Sequence, residues 1–422
     1  MVKPKATVLL LVVDAVGAQT LDFLLDQHPG KLKLSNFSRL GLGRIVARRH
    51  RQRLGRDGRK TCAMRLKQAS ASADSVIGHR EMVGIVDPST YGLFPNGFRW
   101  DFIAALEKRI GRKTIFNKMA GGMEAIELNA AAHEKTGHPI VYASKCDPLV
   151  QIAMNEAVIP VKEQHAIADC AFELAREMGI PITRVIARAY VRSAEGDIVR
   201  TANRHDKVLP MRGKTLVDVM YARDVWTAAV GKTCDLVNTA YHERIKLTRP
   251  TFLDPGLRLR FMHPKKKDTN PYTIQGTVNV LAEAAAVYRP GGTFVFTNLV
   301  DADSLYGHTR DVAGALRCLE GVDEALPLFE ARLRKGDLLI ITADHGMQHR
   351  EDYGYHNKEE LPLIVERIGF GADLGGIKVG PGKSLCEVGH IAAQVLGCAK
   401  DYEEACGFKP IGFRKNQAGN RS

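Results

Sequence analysis

Three apolar runs of strand length stand out along this chain, and each is followed by acidic residues. The runs are TVLLLVV (Thr7 to Val13) before Asp14, TFVFTNLV (Thr293 to Val300) before Asp301 and Asp303, and DLLIIT (Asp337 to Thr342) before Asp344 and His345. Continuous runs of leucine and β-branched residues predict parallel strands that are buried on both faces. Ligands gather at the carboxyl edge of such sheets, so the pattern predicts a site there.

The interval between the second and third runs has helical periodicity. Apolar residues recur at three- and four-residue spacing from Asp311 to Arg334. This spacing predicts an amphipathic helix, which would form the crossover of a right-handed β-α-β unit.

The middle of the chain has an alternation of its own and no comparable cluster of acids. Helices are predicted at Gly121 to His133 and Val161 to Met178, and strands at Pro139 to Ala143 and Thr183 to Tyr190. We therefore expect an α/β protein with a mostly parallel sheet flanked by helices in its core domain, residues 1–99 and 233–422. Residues 100–232 are expected to form an inserted, smaller α/β domain.

Composition agrees with a globular protein of two domains. The 422 residues exceed the size of one simple core, and 45% are hydrophobic and 25% charged. The early apolar run is too short for a membrane span and stops at Asp14, so a cytoplasmic protein without a signal peptide is expected. Eight cysteines without a Cys-x-x-Cys pair predict reduced thiols.

The net charge of +13 would attract phosphorylated substrates or polyanions. Ten of the 24 residues from Arg44 to Lys67 are Lys or Arg. Such a run favours a solvated loop or helix face, with a phosphate-attracting rim or an oligomer contact as the alternative because it leads towards Ser75. No zinc-finger spacing, RNA-recognition signature or aromatic-interleaved basic stripe accompanies the charge, so nucleic-acid binding is not expected as the main role.

Six residues near the predicted strand ends form a candidate metal-ligand set: Asp14, Asp303, His308, Asp344, His345 and His356. Mixed carboxylate and imidazole ligands suit zinc or manganese, and six can hold two ions with positions left open. Two ions about 4 Å apart can stabilise both the entering and the leaving oxygen of a phosphoryl transfer. The ordinary alternatives are an Asp that caps a helix and a histidine bonded within the core.

Ser75, in the segment ADSVIGH at residues 73–79, is the candidate nucleophile. Gly78 would permit a close backbone approach nearby. Coordination to a divalent cation would lower the pKa of the hydroxyl and activate it without a neighbouring base. The alternative is that Ser75 simply caps a helix.

These motifs resemble the alkaline phosphatase superfamily of metalloenzymes, and most closely its bacterial phosphopentomutases. VVDAVG, FTNLVDADSLYGHTRDVAG and LLIITADHG stand in the family order, and the last ligand lies eleven residues beyond His345. The resemblance implies an alkaline phosphatase-like core in which two ions, usually manganese, are bound close to Ser75. Their ligands would be Asp303, His308 and His356 for one ion, and Asp14, Asp344 and His345 for the other.

Several segments of the middle region resemble the substrate-binding cap domain of the phosphopentomutases: PIVYASKCDPLVQIA, RVIARAY, RTANRHDKVLP and VGKTCDLV. The resemblance implies that the sugar and its non-reacting phosphate are bound by Ser144, Asp147, Arg188, Arg204 and Lys232. Ordinary surface or salt-bridge roles are the alternative. This chain departs from the family in having Ala73-Asp74-Ser75 and Gly78-His79-Arg80 where a Lys-Asp-Thr context and Gly-His-Trp are usual. It also has one residue more than the usual Ser-x-Asp spacing in ASKCD.

The resemblance implies a phosphopentomutase activity, in which a phosphoserine at Ser75 and two divalent ions interconvert the 1-phosphate and 5-phosphate of ribose or deoxyribose. A sugar bisphosphate would be the activator and a small sugar phosphate the binding partner. Two alternatives stay open: a phosphatase or mutase of another phosphorylated substrate, and a basic binding protein on an inactive metal fold. The sequence leaves the preferred sugar, the metal in the cell, the oligomeric state and the resting phosphorylation of Ser75 undetermined.

Overall fold

A computed structural model of the protein describes residues 5–28, 30, 33–54, 61–246, 268–349 and 354–410. The described strands are, in chain order, β1 (Thr7–Val13), β2 (Cys62–Leu66), β3 (Ile115–Ala120), β4 (Ile140–Ser144), β5 (Leu149–Asn155), β6 (Arg184–Arg192), β7 (Ile198–Arg200), β8 (His205–Val208), β9 (Trp226–Gly231), β10 (Glu243–Ile245), β11 (Thr293–Leu299), β12 (Leu338–Thr342), β13 (Gly346–His349), β14 (Gly354–Asn357) and β15 (Leu361–Arg367).

The described α-helices are α1 (Ala18–Gln27), α2 (Ser35–Arg39), α3 (Arg51–Leu54), α4 (Ser75–Met82), α5 (Trp100–Ile110), α6 (Gly122–Thr136), α7 (Val161–Glu177), α8 (Leu216–Tyr221), α9 (Thr233–Leu236), α10 (Asn270–Ala286), α11 (Val312–Glu330), α12 (Cys386–Leu396) and α13 (Ala399–Cys406). Short 3₁₀ helices occur at Leu42–Arg44, Arg48–His50 and Leu374–Gly376, and a π-helical turn at Ala302–Gly307. None of these described helices has the length and hydropathy that a membrane crossing requires.

The chain divides into two compact units, residues 1–88 with 211–422 and residues 89–210. The sheet of the first unit has seven strands in the order β10-β9-β11-β1-β12-β15-β2. From β10 to β12 all neighbours are parallel, and β15 and β2 continue the sheet in antiparallel pairs. All seven residues of β1, the central strand, are buried. The mostly parallel sheet expected from the apolar runs is therefore confirmed.

Helices cover both faces of this sheet. Leu9 and Leu11 belong to one apolar cluster, whereas Val8 and Leu10 belong to another, because successive side chains of a strand point to opposite faces. Helices α10 and α11 supply residues to the first cluster, and α8 and α12 supply residues to the second. Burial on both faces explains why the strand sequences are apolar throughout instead of alternating.

The predicted crossover between the second and third apolar runs is present as α11. The carboxylate of Asp311 caps this helix by accepting a hydrogen bond from the backbone nitrogen of Gly314 at 2.8 Å. Strands β11 and β12 are both parallel to β1 and lie on either side of it. The three strands that end in acids are therefore adjacent in the sheet.

The second unit is a smaller α/β fold with its own mixed sheet. The strand order is β3-β4-β5-β6-β7, and β8 also pairs with β6. Helices α5 and α7 pack on one face of this sheet and α6 on the other. The helices and strands predicted for the middle of the chain correspond to α6, α7, β4 and β6, with shifts of a few residues at their ends.

The limits of the two units differ from those expected from the sequence. Residues 89–99 belong to the second unit, and residues 211–232 belong to the first. The second difference arises because Trp226–Gly231 forms strand β9, which pairs with β11 in the core sheet. No acid follows β9 directly and no Pro- or Ser-rich linker precedes it, so this boundary could not be recognised from the sequence.

Three arginines of the basic tract at residues 44–67 contact α1; residues 55–60 of the tract are outside the described part. The guanidinium of Arg49 forms an ion pair with Asp26 at 2.6 Å. Arg53 donates to the carbonyl of Leu25 at 2.7 Å, and Arg65 pairs with Asp22 at 3.4 Å. Part of this tract therefore binds intramolecular carboxylates and carbonyls.

Candidate active site

Five of the six candidate metal ligands follow the carboxyl ends of β11, β1 and β12, and the sixth, His356, lies on β14; together they form two groups. The ligand atoms of Asp303, His308 and His356 all lie within 4.8 Å of one another. The same limit holds for the second group, Asp14, Asp344 and His345. This grouping coincides with the division into two ion sites that the sequence resemblance implies.

In the first group, Asp303 lies on the π-helical turn Ala302–Gly307 and both imidazoles approach its Oδ1 atom. The Nε2 atoms of His308 and His356 lie 3.1 and 3.0 Å from this oxygen. Nδ1 of His308 lies 2.9 Å from the carbonyl oxygen of Gly354, so a proton on Nδ1 leaves Nε2 as the ligand atom. Burial raises the pKa of Asp303, but the two histidines outweigh it and hold the pKa well below its usual value.

The second group is completely buried. Nε2 of His345 lies 3.4 Å from Oδ1 of Asp14 and 3.5 Å from Oδ2 of Asp344. Burial, and then the charge of Asp344, raise the pKa of Asp14 to about 7. Among the described residues neither of these two oxygens has a well-aligned hydrogen-bond donor, although Nδ1 of His79 lies 3.3 Å from Oδ2 of Asp344. Buried carboxylate oxygens without well-aligned donors fit a cation as their partner, so the residues present suit a divalent metal.

Neither Asp14 nor Ser75 is a helix cap, which was the ordinary alternative for both residues. Helix α1 begins four residues after Asp14, and its N-cap is Gly17. The N-cap of α4 is Asp74, whose side chain accepts a hydrogen bond from the backbone nitrogen of Val76 at 2.8 Å. Ser75 is the first residue of α4, so its hydroxyl is not used for capping.

The hydroxyl of Ser75 is buried and faces the second group. Its Oγ lies 3.2 Å from Nε2 of His345. Helix α4 passes so close to the segment after β12 that a Cβ atom at Gly78 would lie 2.2 Å from the carbonyl oxygen of Asp344. The close backbone approach predicted at Gly78 is confirmed, and this contact places Ser75 beside the ligands.

Lys232, which follows β9, lies beside the candidate nucleophile. Its Nζ atom is 2.9 Å from Oγ of Ser75 and 3.4 Å from Oδ2 of Asp14. The ammonium also lies 3.8 Å from Oδ2 of Asp303. Lys232 therefore lies beside both ligand groups, and its positive charge faces the hydroxyl of Ser75.

The sequence interpretation did not identify His79 and Asn298. Nδ2 of Asn298 lies 3.0 Å from Oδ2 of Asp14 and 2.8 Å from Nε2 of His79. Nδ1 of His79 lies 2.8 Å from the carbonyl oxygen of Ser75. Two signals were present: an asparagine inside an otherwise apolar strand, and a histidine four residues after Ser75 on the same helix face.

The proposed substrate residues other than Lys232 belong to the second unit, where Arg188 has an unusual environment. The side chain is partly buried, and its Nε donates to Oε1 of Gln151 at 2.9 Å. It forms no ion pair among the described residues. Burial, and then the charge of Arg204, lower the pKa of Arg188 to about 9. A partly buried guanidinium held by a neutral amide near another arginine is suited to an anionic ligand.

Ser144, Asp147 and Arg204 are engaged within the second unit. Oγ of Ser144 accepts a hydrogen bond from the backbone nitrogen of Asp147 at 3.3 Å. The carboxylate of Asp147 pairs with Arg184 at 3.2 Å, and the guanidinium of Arg204 pairs with Asp206. Asp147 and Arg204 would have to share or exchange these ion pairs in order to bind a ligand.

Comparison with known proteins connects this centre to a family. A model of the metalloenzyme superfamily matches residues 269–400, which contain five of the six candidate ligands, all except Asp14. The phosphopentomutase of Pseudothermotoga lettingae is 33% identical over 88% of this chain and 87% of its own length. That of Thermotoga petrophila is 34% identical over 82% of this chain and 81% of its own. The phosphopentomutase of Clostridium kluyveri is 31% identical over 94% of this chain and 93% of its own length.

These matches extend across both units and agree with the α/β fold and the donor set described above. The fold is that of the alkaline phosphatase-like metalloenzymes, and the protein binds divalent metal. With relatives more than 30% identical over most of both lengths, this chain belongs to the phosphopentomutase family of the metalloenzyme superfamily.

Proposed function

We propose that this protein is a pentose phosphate mutase, an isomerase that interconverts the 1-phosphate and 5-phosphate of ribose or deoxyribose. The observation that carries the proposal is the position of Ser75. Its buried hydroxyl lies between Nε2 of His345 and Nζ of Lys232, beside two groups of metal-binding side chains. The family to which the chain belongs supplies the reaction class.

We assign one divalent ion to Asp303, His308 and His356 and a second to Asp14, Asp344 and His345. Manganese is the expected metal, because mixed carboxylate and imidazole sites suit it and it is usual in the family. When bound, the two ions supply positive charge that neutralises the transferred phosphoryl group and its entering and leaving oxygens.

Ser75 is the residue that carries the phosphoryl group between turnovers. A sugar bisphosphate first phosphorylates its Oγ: the new Oγ–P bond forms as the P–O bond to the sugar breaks. Phospho-Ser75 then gives its phosphoryl group to the free hydroxyl of a pentose monophosphate, which produces a pentose bisphosphate. The other phosphate of that bisphosphate returns to Ser75, and the isomerised monophosphate leaves.

Lys232 and the second unit have separate tasks in this proposal. The Lys232 ammonium balances charge on the phosphoryl group at Ser75, because it lies 2.9 Å from Oγ. In the second unit, which we propose acts as the substrate-binding cap, Arg188 binds the non-reacting phosphate. Its partial burial without an ion-pair partner among the described residues supports this role. Ser144, Asp147 and Arg204 are the further candidates for binding the sugar and its phosphate.

The test is turnover of ribose 5-phosphate with manganese and a trace of a sugar 1,6-bisphosphate, with ribose 1-phosphate and free phosphate followed together. Wild type, Ser75→Ala and Ser38→Ala are compared. Ser38 is a matched control because it lies in α2, outside the site, and its buried hydroxyl donates a hydrogen bond to the carbonyl oxygen of Leu34. Isomerisation that is lost only in Ser75→Ala supports the proposal. Phosphate release without isomerisation would instead indicate a phosphatase, and an active Ser75→Ala would exclude this nucleophile.

A further inference from the structure

The backbone that carries Lys232 is held by a second residue of the nucleophile's own helix. Arg80 lies on α4, five residues after Ser75, and is only 5% exposed. Its Nε donates to the carbonyl oxygen of Leu236 at 3.1 Å. Leu236 is the last residue of the one-turn helix α9, which begins directly after Lys232.

This contact is connected to Lys232 through one turn of backbone hydrogen bonds. The carbonyl oxygen of Lys232 accepts from the backbone nitrogens of Asp235 at 3.0 Å and Leu236 at 3.2 Å. The last carbonyls of a helix lack partners within the helix, so a guanidinium at Leu236 satisfies an otherwise unpaired acceptor. Fixing Leu236 therefore fixes the turn that begins at Lys232.

The chain on the other side of Lys232 is also constrained. Gly231 has a φ of +75°, and a Cβ there would lie 2.8 Å from the carbonyl oxygen of Asn298. On the same side as Leu236, Arg244 adds a further contact by donating to the carbonyl of Cys234, inside α9, at 2.8 Å. A lysine side chain has four rotatable bonds and loses much conformational freedom when it is held in one place, so a rigid backbone is needed to place its ammonium accurately.

We propose that Arg80 is a positioning residue that holds the Lys232 ammonium opposite the hydroxyl of Ser75. The inference rests on the proposed role of Ser75 as the phosphoryl carrier. Because α4 bears both Ser75 and Arg80, one rigid helix sets the nucleophile and anchors the segment that bears its counter-charge. Arg80 itself contacts neither the substrate nor the transferred group in this scheme; its effect reaches the reaction only through Lys232.

The test is a double-mutant cycle of Arg80→Met and Lys232→Met. Its readout is the rate at which a sugar 1,6-bisphosphate phosphorylates Ser75 with manganese, followed by mass spectrometry of the intact protein. In the wild-type background, Arg80→Met is expected to slow phosphorylation by about tenfold to a hundredfold, the usual cost of a small misplacement at a reacting centre. In the Lys232→Met background the same substitution should have little further effect, since its target is gone.

The matched control is Arg367→Met. Arg367 also donates to backbone carbonyls, those of Leu374 and Gly375. Its backbone lies opposite Leu338, at the end of β12 that is farther from Asp344. This control should leave the rate unchanged. Arg80→Lys keeps the positive charge but loses the planar guanidinium, and it should recover part of the rate. If Arg80→Met does not fold, Arg80→Lys replaces it in the cycle.

An equal slowing by Arg80→Met in both backgrounds would overturn the proposal, as would an unchanged rate in the Arg80→Met single variant. Failure of the proposed function is visible separately. If wild type does not isomerise ribose 5-phosphate, the pentose mutase is rejected, whereas the coupling between Arg80 and Lys232 is still measured on Ser75 phosphorylation. If Ser75 is not phosphorylated by the bisphosphate, both proposals fail.

Discussion

Nε2 of His79 lies 2.8 Å from the side-chain nitrogen of Asn298, and the same nitrogen lies 3.0 Å from Oδ2 of Asp14. On its other side, Nδ1 of His79 lies 3.3 Å from Oδ2 of Asp344. The two residues therefore connect a ligand that follows β1 with a ligand that follows β12. Polar partners of this kind fix the orientation of metal ligands, and losing one lowers metal affinity.

The His79→Gln variant is expected to bind manganese about tenfold to a hundredfold more weakly than wild type, as is usual when a residue behind the ligands is lost. Titration calorimetry on metal-free protein measures the change. His242→Gln is the control, since His242 bonds Thr227 near the opposite end of β9 from Lys232. Equal manganese affinities for wild type and His79→Gln would show that the network does not orient the ligands.

A second prediction concerns the contact between α4 and the segment that follows β12. Gly78→Ala would place a methyl group 2.2 Å from the carbonyl oxygen of Asp344, and backbone on both sides leaves no flexible atom to move aside. We expect a loss of about 1–3 kcal/mol in the free energy of unfolding, as for other overpacked sites, together with weaker manganese binding. Urea unfolding measures the first effect.

Gly43→Ala is the matched control for Gly78→Ala, because a Cβ at Gly43 would meet no heavy atom within 4 Å. The control should unfold at nearly the wild-type urea concentration. Wild-type stability in Gly78→Ala would mean that α4 can withdraw from β12 at no cost, and the explanation of how Ser75 is placed would then be wrong.

The sequence predicted the parts of this protein that follow from local pattern. Buried parallel strands need apolar residues on both faces, so β1, β11 and β12 were recognisable, and the acids after them identified one sheet edge. In the structure the three strands are adjacent, because β11 and β12 pair with the two sides of β1. The six ligands could be named because each one lies near the end of a recognisable strand or motif.

What the sequence did not predict depends on pairing between distant segments. Lys232 was expected to bind the sugar or its non-reacting phosphate. In the structure β9 pairs with β11, and this pairing places the Lys232 ammonium next to the hydroxyl of Ser75. Asn298 appeared to be one more residue of a buried strand, and its role depends on which residue lies opposite it across the sheet. Such partners follow from strand order, which local periodicity does not specify.

A third prediction separates the role of Arg188 in binding from any role in folding. Arg188→Met should raise the KM for ribose 5-phosphate by about tenfold to a hundredfold, because a hydrogen bond to a charged group contributes roughly 1.5–3 kcal/mol. The melting temperature should not fall, since the partly buried guanidinium forms no ion pair among the described residues whose loss would destabilise the fold.

Arg192→Met is the control for Arg188→Met on the same strand. Arg192 is partly exposed and pairs with Glu134 at 2.8 Å. It should leave KM unchanged. The subsite assignment would be refuted by an unchanged KM in Arg188→Met, or by an equal rise in both variants.

A fourth prediction follows from His133, which is buried in the second unit. Nδ1 lies 2.7 Å from the carbonyl oxygen of His138, and Nε2 accepts from the backbone nitrogen of Asn155 at 2.9 Å. These bonds require the neutral ring, and burial lowers its pKa below the ordinary value of 6.5. The stabilisation is fully present above that value and is lost as the pH falls from 6.5 towards the pKa of the folded state.

Within that window the unfolded chain binds one more proton, so His133 should lower the free energy of unfolding by up to about 1.4 kcal/mol for each pH unit of acidification. Urea unfolding at pH 7.5 and pH 5 measures the loss. His133→Gln cannot take up the proton, so its stability should depend less on pH than that of wild type. The same pH dependence in both proteins would contradict the assignment.

The last prediction concerns charge at the centre itself. Asp14 and Asp344 are both buried, and burial together with the neighbouring charge raises the pKa of Asp14 to about 7. Without metal the ionised form of Asp14 is therefore disfavoured in the folded state, and a bound divalent ion would relieve the repulsion between the two carboxylates. Manganese should therefore raise the melting temperature, corresponding to about 2.7 kcal/mol at a free concentration of one hundred times Kd, and EDTA should reverse the rise. Asp14→Asn should melt at a higher temperature than wild type without metal, and manganese should raise its melting temperature less. The control is Asp373→Asn, which changes the N-cap residue of the 3₁₀ helix Leu374–Gly376 and should keep the full manganese effect. An Asp14→Asn variant that melts lower than wild type without metal would mean that the carboxylate stabilises the fold by itself, and Asp14 would then be a structural residue instead of a ligand.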